Sequence, residues 1–215
     1  MSLLNEISVA LQNGKAKIVK ELVGQALSEG LSAKEILQEG LLPGMDIIAV
    51  KFKNNDVYVP EVLISARAMN AGSELLKPYL AESGVKPLGK AVLGTVKGDL
   101  HDIGKNIVRM MLEGKGIEVI DLGVDVPPEK FIEAIKAEKP EIVAMSALLT
   151  TTMDSMREAI EAFKEAGVRD DVIVMVGGAP LTQEYCNQIG ADIYAADAAS
   201  AADVAKEAIL RKVNA

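Results

Sequence analysis

The hydrophobic pattern over residues 1–83 is helical almost throughout. Apolar residues recur every three or four positions, as at Ile18, Leu22 and Ala26, which is the spacing of one buried helical face. The last of these segments, PEVLISARAMNAGSELLKPYL, begins at Pro60, and proline favours the first turn of a helix. This part of the chain is therefore predicted to form an N-terminal helical bundle.

The pattern changes after residues 84–89, GVKPLG, which we interpret as a linker because Gly and Pro lie close together there. Beyond it, short apolar runs alternate with longer amphipathic segments. Five runs have the length of buried strands: KAVLGTV, IEVIDLG, EIVAMSA, VIVMVGG and DIYAA. The predicted fold class is α/β, with a helical domain at 1–83 and a doubly wound, parallel five-stranded sheet of Rossmann or flavodoxin type at 90–215.

Composition narrows the classes of partner. Hydrophobic residues make up 49% of the chain and charged residues 25%, which suits a folded protein with a sizeable core. The 31 acidic and 23 basic residues give a net charge of −8, and there is no dense Lys/Arg run, so nucleic acid is not expected as a partner. The chain has a single cysteine, Cys186, and its start has no basic leader segment, so we expect a cytoplasmic protein. No apolar run approaches 20 residues, so no membrane partner is expected.

The candidate chemistry centres on His101, the only histidine, in GTVKGDLHDIGKNIV. The segment follows the first predicted strand, and open α/β sheets bind ligands beyond the carboxyl ends of their strands. A conventional zinc site needs three or four protein ligands, but this chain has one His and one Cys. A transition metal on His101 would have to arrive in a macrocycle such as haem or a corrinoid. A structural or surface role for the imidazole stays open at this point.

Two acidic residues flank this histidine. The carboxylate of Asp99 could accept a hydrogen bond from the ring nitrogen that does not bind a metal, or Asp99 could serve as a turn residue. Asp102 is the better candidate to cap the helix that follows. A G-x-S-x-G nucleophile elbow, the Walker spacing and the dinucleotide fingerprint are all missing from the sequence.

Three short motifs occur in order, each at the end of a predicted strand: D-x-H-x-x-G at Asp99, His101 and Gly104, then S-x-L at Ser146 and Leu148, then the pair Gly177-Gly178. Together they resemble the signature of cobalamin-binding domains that hold the corrinoid through a protein histidine. The helical segment VYVPEVLISARAMNAG is similar to the cap helix of methionine synthase and of corrinoid proteins from methylamine and quaternary-amine methyltransferase systems.

The resemblance implies a role for each matching residue. His101 would be the lower axial ligand of cobalt, Asp99 would accept its other N–H, and the hydroxyl of Thr152 would complete the chain. Thr150 falls where the family places a hydroxyl beside the nucleotide tail of the cofactor. The remaining implied cofactor-binding residues are Gly94, Asp102, Gly104, Ser146, Leu148, Gly177, Gly178 and, in the helical cap, Tyr58, where the family carries phenylalanine.

The function implied by this resemblance is that of a methyl carrier on cobalt. The carrier would serve a substrate-specific methyltransferase of methylated-amine or betaine type and a second methyltransferase that acts on a folate or a thiol. A reductive activase is a third expected partner. The alternatives are the small subunit of an adenosylcobalamin mutase, a corrinoid light sensor, and an FMN or response-regulator-like domain. Mutase subunits usually lack a helical cap, a light sensor needs a DNA-binding segment, and the last class has no use for His101.

Overall fold

The computed structural model of the protein describes residues 2–213, and these form two compact units. One unit contains the residues up to Pro87 together with Gly114–Gly116, and the other contains Leu88–Glu113 and the residues from Ile117 onward. Within the described residues, no helix combines the length and the apolar character needed to cross a membrane. The limits of separate domains and a linker at 84–89 stay predictions.

The first unit is entirely helical. Its elements are α1 (Leu3–Gln12), α2 (Ala16–Ser28), α3 (Ala33–Glu35), a π-helical stretch (Ile36–Leu41), α4 (Leu42–Lys53) and α5 (Val59–Glu82). Helix α5 begins one residue before Pro60, so the proline lies in the first turn as predicted. The inward faces of these helices carry fully buried aliphatic side chains, among them Leu11, Val23 and Leu76. Burial of this apolar stripe holds the bundle together.

The second unit alternates strands and helices. Its elements are β1 (Gly89–Thr95), α6 (Ile103–Gly114), β2 (Ile117–Asp121), α7 (Pro128–Glu138), β3 (Ile142–Ser146), α8 (Met153–Glu165), β4 (Ile173–Gly177), α9 (Gln183–Ile189), β5 (Ile193–Ala195) and α10 (Ala198–Val213). All strand pairs are parallel, and the order is β2-β1-β3-β4-β5. The predicted helical N-terminal part and five-stranded parallel sheet are therefore confirmed.

The core of this unit lies where helices cover the sheet. The strands are near-continuous apolar runs because a parallel sheet is buried on both faces. Phe131 of α7 and Phe163 of α8 are fully buried and meet edge to face, with their ring centroids 6.2 Å apart. Gly94 of β1 makes room for Phe131, since a Cβ at this position would lie 2.8 Å from the Cζ atom of that ring.

The strand order reverses between β1 and β3, so the loops that follow these two strands diverge at one edge of the sheet. Such a switch point forms a crevice beyond the carboxyl ends of the strands, where open α/β sheets bind their ligands. The loop after β1 carries Asp99 and His101, and the loop after β3 carries Leu148 and Thr152. The fold thus brings separate parts of the sequence to the same edge.

Candidate functional site: the histidine at the switch point

His101 lies in the loop between β1 and α6, and its side chain is 50% exposed, whereas that of Asp99 is fully buried. The backbone of the loop is held by Thr95, a buried residue at the end of β1. Its hydroxyl donates to the carbonyl oxygen of His101 at 2.8 Å. The imidazole is therefore accessible, while the residues that orient it are shielded from water.

One carboxylate oxygen of Asp99 contacts His101 twice. Oδ1 lies 2.7 Å from the ring Nδ1 and accepts the backbone N–H of His101 at 3.0 Å. A carboxylate at Nδ1 favours the tautomer that carries its proton there, which leaves the lone pair of Nε2 available. No hydrogen bond to Nε2 forms within residues 2–213. The geometry therefore presents Nε2 as a free ligand atom.

The other carboxylate oxygen of Asp99 is held by the loop after β3. Oδ2 accepts the backbone N–H groups of Leu148 at 2.8 Å and Leu149 at 3.3 Å. The hydroxyl of Thr152 lies 2.7 Å from the same oxygen and 2.9 Å from the carbonyl oxygen of Leu149. Both oxygens of the buried carboxylate are thus satisfied, and the group has little freedom to rotate.

These contacts set the charge of the Asp99 carboxylate. Burial by itself raises its pKa, but the hydrogen bonds from Leu148, His101 and Thr152 outweigh burial and hold the pKa well below its usual range. Asp99 is therefore ionised at neutral pH and can act as a permanent acceptor for the Nδ1–H of His101.

Thr152→Val tests the hydroxyl that contacts this carboxylate. The substitution keeps the shape of the side chain but removes one donor to a buried charge, so we expect the free energy of unfolding to fall by about 1.5–3 kcal/mol. Thr150→Val is the matched control because Thr150 is exposed in the same short 3-10 turn, and it should change stability by less than about 0.5 kcal/mol. Denaturant titration measures both. Equal losses in the two variants would contradict the contact.

Other predicted site residues lie at the same edge of the sheet, in several environments. Ser146 ends β3 and Gly177 ends β4, and the two are paired across the strands. Gly178 is the residue after β4, where a Cβ would overlap the carbonyl oxygen of Ala147. Leu148 is exposed despite its apolar side chain. Gly178 is therefore needed for close contact between two backbone segments, a reason that the sequence did not indicate.

The rest of the predicted set is divided between the two units. Gly104 opens onto free space, since a Cβ there would meet no atom within 4 Å. Asp102 precedes α6, and its Oδ2 accepts the side-chain amide of Asn106 at 3.1 Å. Thr150 is exposed after β3. Tyr58 belongs to the helical unit, immediately before α5, and its side chain is exposed, so its role at the site stays a prediction.

Sequence reasoning missed several exposed apolar side chains near the histidine. Leu100 and Ile103 flank His101 in the chain and are each 71% exposed, and Leu149 is also exposed beside Leu148. The signal was present, because apolar residues in a short loop that follows a strand have no core to enter. Exposed apolar side chains on adjacent loops indicate a surface that a ligand covers.

The residues present fit a macrocyclic metal cofactor. Such a group brings most of the metal's ligands with it and needs one protein donor, which the free Nε2 of His101 supplies. The apolar side chains of Leu100, Ile103 and Leu148 suit contact with a broad, largely apolar ring. Among the described residues, no three His, Cys, Asp or Glu side chains gather into a metal-binding group.

Comparison with known families assigns both units. Two family profiles, each described as a B12 binding domain, match the chain, one over residues 89–205 and the other over residues 3–77. The first match covers the strands and helices that build the histidine site, and the second covers α1 to α4 and most of α5. Each of the two units therefore corresponds to a known B12 binding domain.

Individual relatives agree with this assignment. Trimethylamine corrinoid protein 1 of Methanosarcina mazei is 43% identical over 196 residues, which are 90% of this chain and 91% of the relative. Dimethylamine corrinoid protein 3 of Methanosarcina acetivorans is 44% identical over 208 residues, 97% of each chain.

Solved structures extend the likeness to three dimensions. The methanol:cobalamin methyltransferase complex MtaBC from Methanosarcina barkeri has a chain that matches with a TM-score of 0.87 and 32% identity, over 97% of this chain and 80% of that one. A cobalamin-binding protein from Desulfitobacterium hafniense matches with a TM-score of 0.78 and 34% identity, over 95% and 98% of the two chains. This chain therefore belongs to the B12-binding family of corrinoid proteins.

Proposed function

We propose that this protein carries a methyl group on a corrinoid between two methyltransferases. The observation that supports it most directly is the free Nε2 of His101, with Nδ1 held at 2.7 Å by the ionised Asp99. The metal of a corrinoid can take one such donor from the protein. When bound, the corrinoid supplies a cobalt centre that can take up and release a methyl group, which is chemistry that no side chain of this protein can perform.

The residues of the protein place and tune that centre. His101 would hold the metal through Nε2, and Asp99 would keep the Nδ1 proton in place and make the imidazole a stronger donor. Thr152, together with the backbone of Leu148 and Leu149, keeps the carboxylate charged and oriented. The exposed side chains of the same loops would cover the apolar face of the ring and keep water from it.

A methylated amine is the substrate class that we propose for the partner enzyme. The trimethylamine and dimethylamine corrinoid proteins are 43% and 44% identical to this chain over at least 90% of its length. The substrate would be bound by a separate methyltransferase, as the corrinoid chain of the MtaBC complex is accompanied by one. A second methyltransferase acting on a folate or a thiol, and a reductive activase, complete the proposed set of partners.

A carrier is favoured over the small subunit of an adenosylcobalamin mutase by the helical unit. Residues 3–77 match a B12 binding domain of their own, in addition to the match in the sheet unit. A helical region of this kind is what the resemblance to methyl-carrying proteins implies, and mutase subunits usually lack it.

Reconstitution tests the proposal in two stages. The purified chain incubated with hydroxocobalamin should retain one equivalent of cobalt through gel filtration. The reduced complex, given a trimethylamine or dimethylamine methyltransferase and its substrate, should then consume one equivalent of methyl groups. Methanol with its own methyltransferase is the comparison, and should be consumed far more slowly. A chain that loses cobalt on the column, or consumes no methylated substrate, would contradict the carrier function.

A further inference from the structure

The loop that follows β2 continues to pair with β1 after β2 itself has ended. Its residues 122–126 run beside residues 93–99 of the β1 strand and loop. Three backbone hydrogen bonds join them: Leu122 N–H to Leu93 O at 2.8 Å, Thr95 N–H to Gly123 O at 3.0 Å and Val126 N–H to Thr95 O at 2.9 Å. The β2–α7 loop therefore lies along one side of the histidine loop, opposite the loop after β3.

Asp125 adds two further contacts between the same loops, and both are with residues that lie shortly before His101 in the chain. Its backbone N–H donates to the carbonyl oxygen of Asp99 at 3.0 Å. Its side-chain Oδ1 accepts the backbone N–H of Gly98 at 2.7 Å. The carboxylate of Asp99 is thus held by the loop after β3, while Asp125 holds the backbone carbonyl of Asp99 and the N–H of the residue before it.

The backbone conformation of Asp125 is unusual. Its φ is +52°, in the left-handed region that a residue with a side chain seldom adopts, although Asp and Asn tolerate it better than most. Such conformations cost about 1–3 kcal/mol and persist where the surroundings enforce them, often at functional sites. A carboxylate that accepts a short hydrogen bond from a neighbouring loop is an interaction that can offset this cost.

The β2–α7 loop has a firm anchor of its own. Asp121, the last residue of β2, accepts the backbone N–H of Gly123 at 2.9 Å through Oδ1. Both oxygens of Asp121 also lie 2.6 Å from Nζ of Lys105, whose side chain is 2% exposed in the first turns of α6. A part-buried ion pair of this geometry holds the start of the loop to the helix that follows the histidine. The loop that carries Asp125 is therefore fixed in place at its start.

We propose that Asp125 is a positioning residue for His101. Its contacts with the N–H of Gly98 and the carbonyl of Asp99 fix the position of the Asp99 backbone. That position in turn fixes the distance between the Asp99 carboxylate and Nδ1 of His101. Loss of its carboxylate would let the loop shift, so that the imidazole would no longer be held in one tautomer with Nε2 free. This inference adds a residue to the proposed corrinoid site. It rests on the proposed function in one respect, namely that Nε2 is the cobalt ligand.

Three substitutions separate the carboxylate from the backbone. Asp125→Asn keeps an acceptor oxygen and tolerates the left-handed conformation. Asp125→Gly keeps the conformation but has no acceptor, and Asp125→Ala has neither. Because Asp125 is exposed, none of the three opens a core cavity. Thermal unfolding of each variant verifies that it folds before the site is compared.

The first measurement uses the apo protein, produced without a histidine tag. His101 is the only histidine, so the ¹⁵N-edited imidazole spectrum contains one residue and needs no assignment. The wild type and Asp125→Asn should show one set of signals with the proton on Nδ1. Asp125→Gly and Asp125→Ala should show mixed or averaged tautomers and faster amide exchange at Gly98. A wild-type spectrum for Asp125→Gly would overturn the proposal, since only the backbone conformation would then matter.

The second measurement is the affinity for hydroxocobalamin, combined with His101→Ala. Residues that orient a metal ligand typically contribute 10–100-fold to affinity, so Asp125→Gly should bind about tenfold more weakly, and the same change should have no further effect in the His101→Ala chain. Equal losses in both backgrounds would overturn an action through His101. If His101→Ala binds cobalt with wild-type affinity and spectrum, the ligand assignment fails, while the imidazole spectrum still decides the role of Asp125.

Discussion

Replacing His101 with alanine should remove the nitrogen superhyperfine splitting that a protein imidazole gives to the cobalt(II) EPR spectrum of the reconstituted chain. The reason is that Nε2 of His101, which takes part in no hydrogen bond within residues 2–213, lies at the switch point of the sheet and can bind the metal. The fold should remain intact, because the side chain is half exposed and its removal leaves no cavity. The backbone N–H of residue 101 can still donate to Oδ1 of Asp99, so the buried carboxylate keeps a partner there.

The control for this variant is chemical rescue. Free imidazole added to the His101→Ala complex should enter the space that the side chain left and restore the nitrogen splitting. Circular dichroism and the denaturation midpoint should stay close to those of the wild type, with a change below about 1 kcal/mol in the free energy of unfolding. An EPR spectrum that is the same in wild type and variant would show that the metal ligand is not His101.

Replacing Gly178 with alanine should lower the free energy of unfolding by about 3 kcal/mol or more and should also disturb the imidazole of His101. The φ of Gly178 is +140°, which a residue with a Cβ adopts only with strain, and the added Cβ would overlap the carbonyl oxygen of Ala147. Relief of that overlap must move the segment after β3. This segment donates the N–H groups of Leu148 and Leu149 to Asp99.

Gly167→Ala is the matched control for the Gly178 variant. Gly167 also has a positive φ, +69°, but a Cβ there would meet no atom within 4 Å. Its substitution should therefore cost only the backbone preference, about 1 kcal/mol. Denaturant titration gives the two stabilities, and the imidazole spectrum of the apo protein should change in Gly178→Ala alone. Variants with equal stability and identical imidazole signals would show that the Ala147 contact does not support the site.

The elements of the fold could be predicted because their apolar patterns differ in period. The five runs predicted as strands coincide with β1 to β5 within one or two residues, since a strand buried on both faces is an uninterrupted apolar run. The strand order could not be read in this way. It depends on which runs pair, and for that the apolar pattern of each strand is nearly the same.

The site was predictable where its residues are close in sequence or belong to a known motif. Asp99 lies two residues before His101, so a short turn can bring them together, and Thr152 was found through the resemblance. Asp125 was missed because it acts through the backbone of Gly98 and Asp99. Backbone groups are the same in every residue, so a contact with them leaves no pattern of side chains that a motif could show. Phe131 was missed as the partner of Gly94 for a similar reason, since a glycine does not reveal which side chain fills its space.

The contacts between the carboxylate of Asp99 and the loop after β3 span 49 to 53 positions of the chain. A nascent polypeptide that ends before residue 148 already contains the histidine but lacks the groups of the loop after β3 that fix and charge its partner carboxylate. Contacts of such long sequence separation form late, because the intervening chain must first be ordered. We therefore expect cofactor loading to be open only to chains in which β3 has joined β1. A cell that makes this protein without corrinoid would accumulate a folded, loadable apo form.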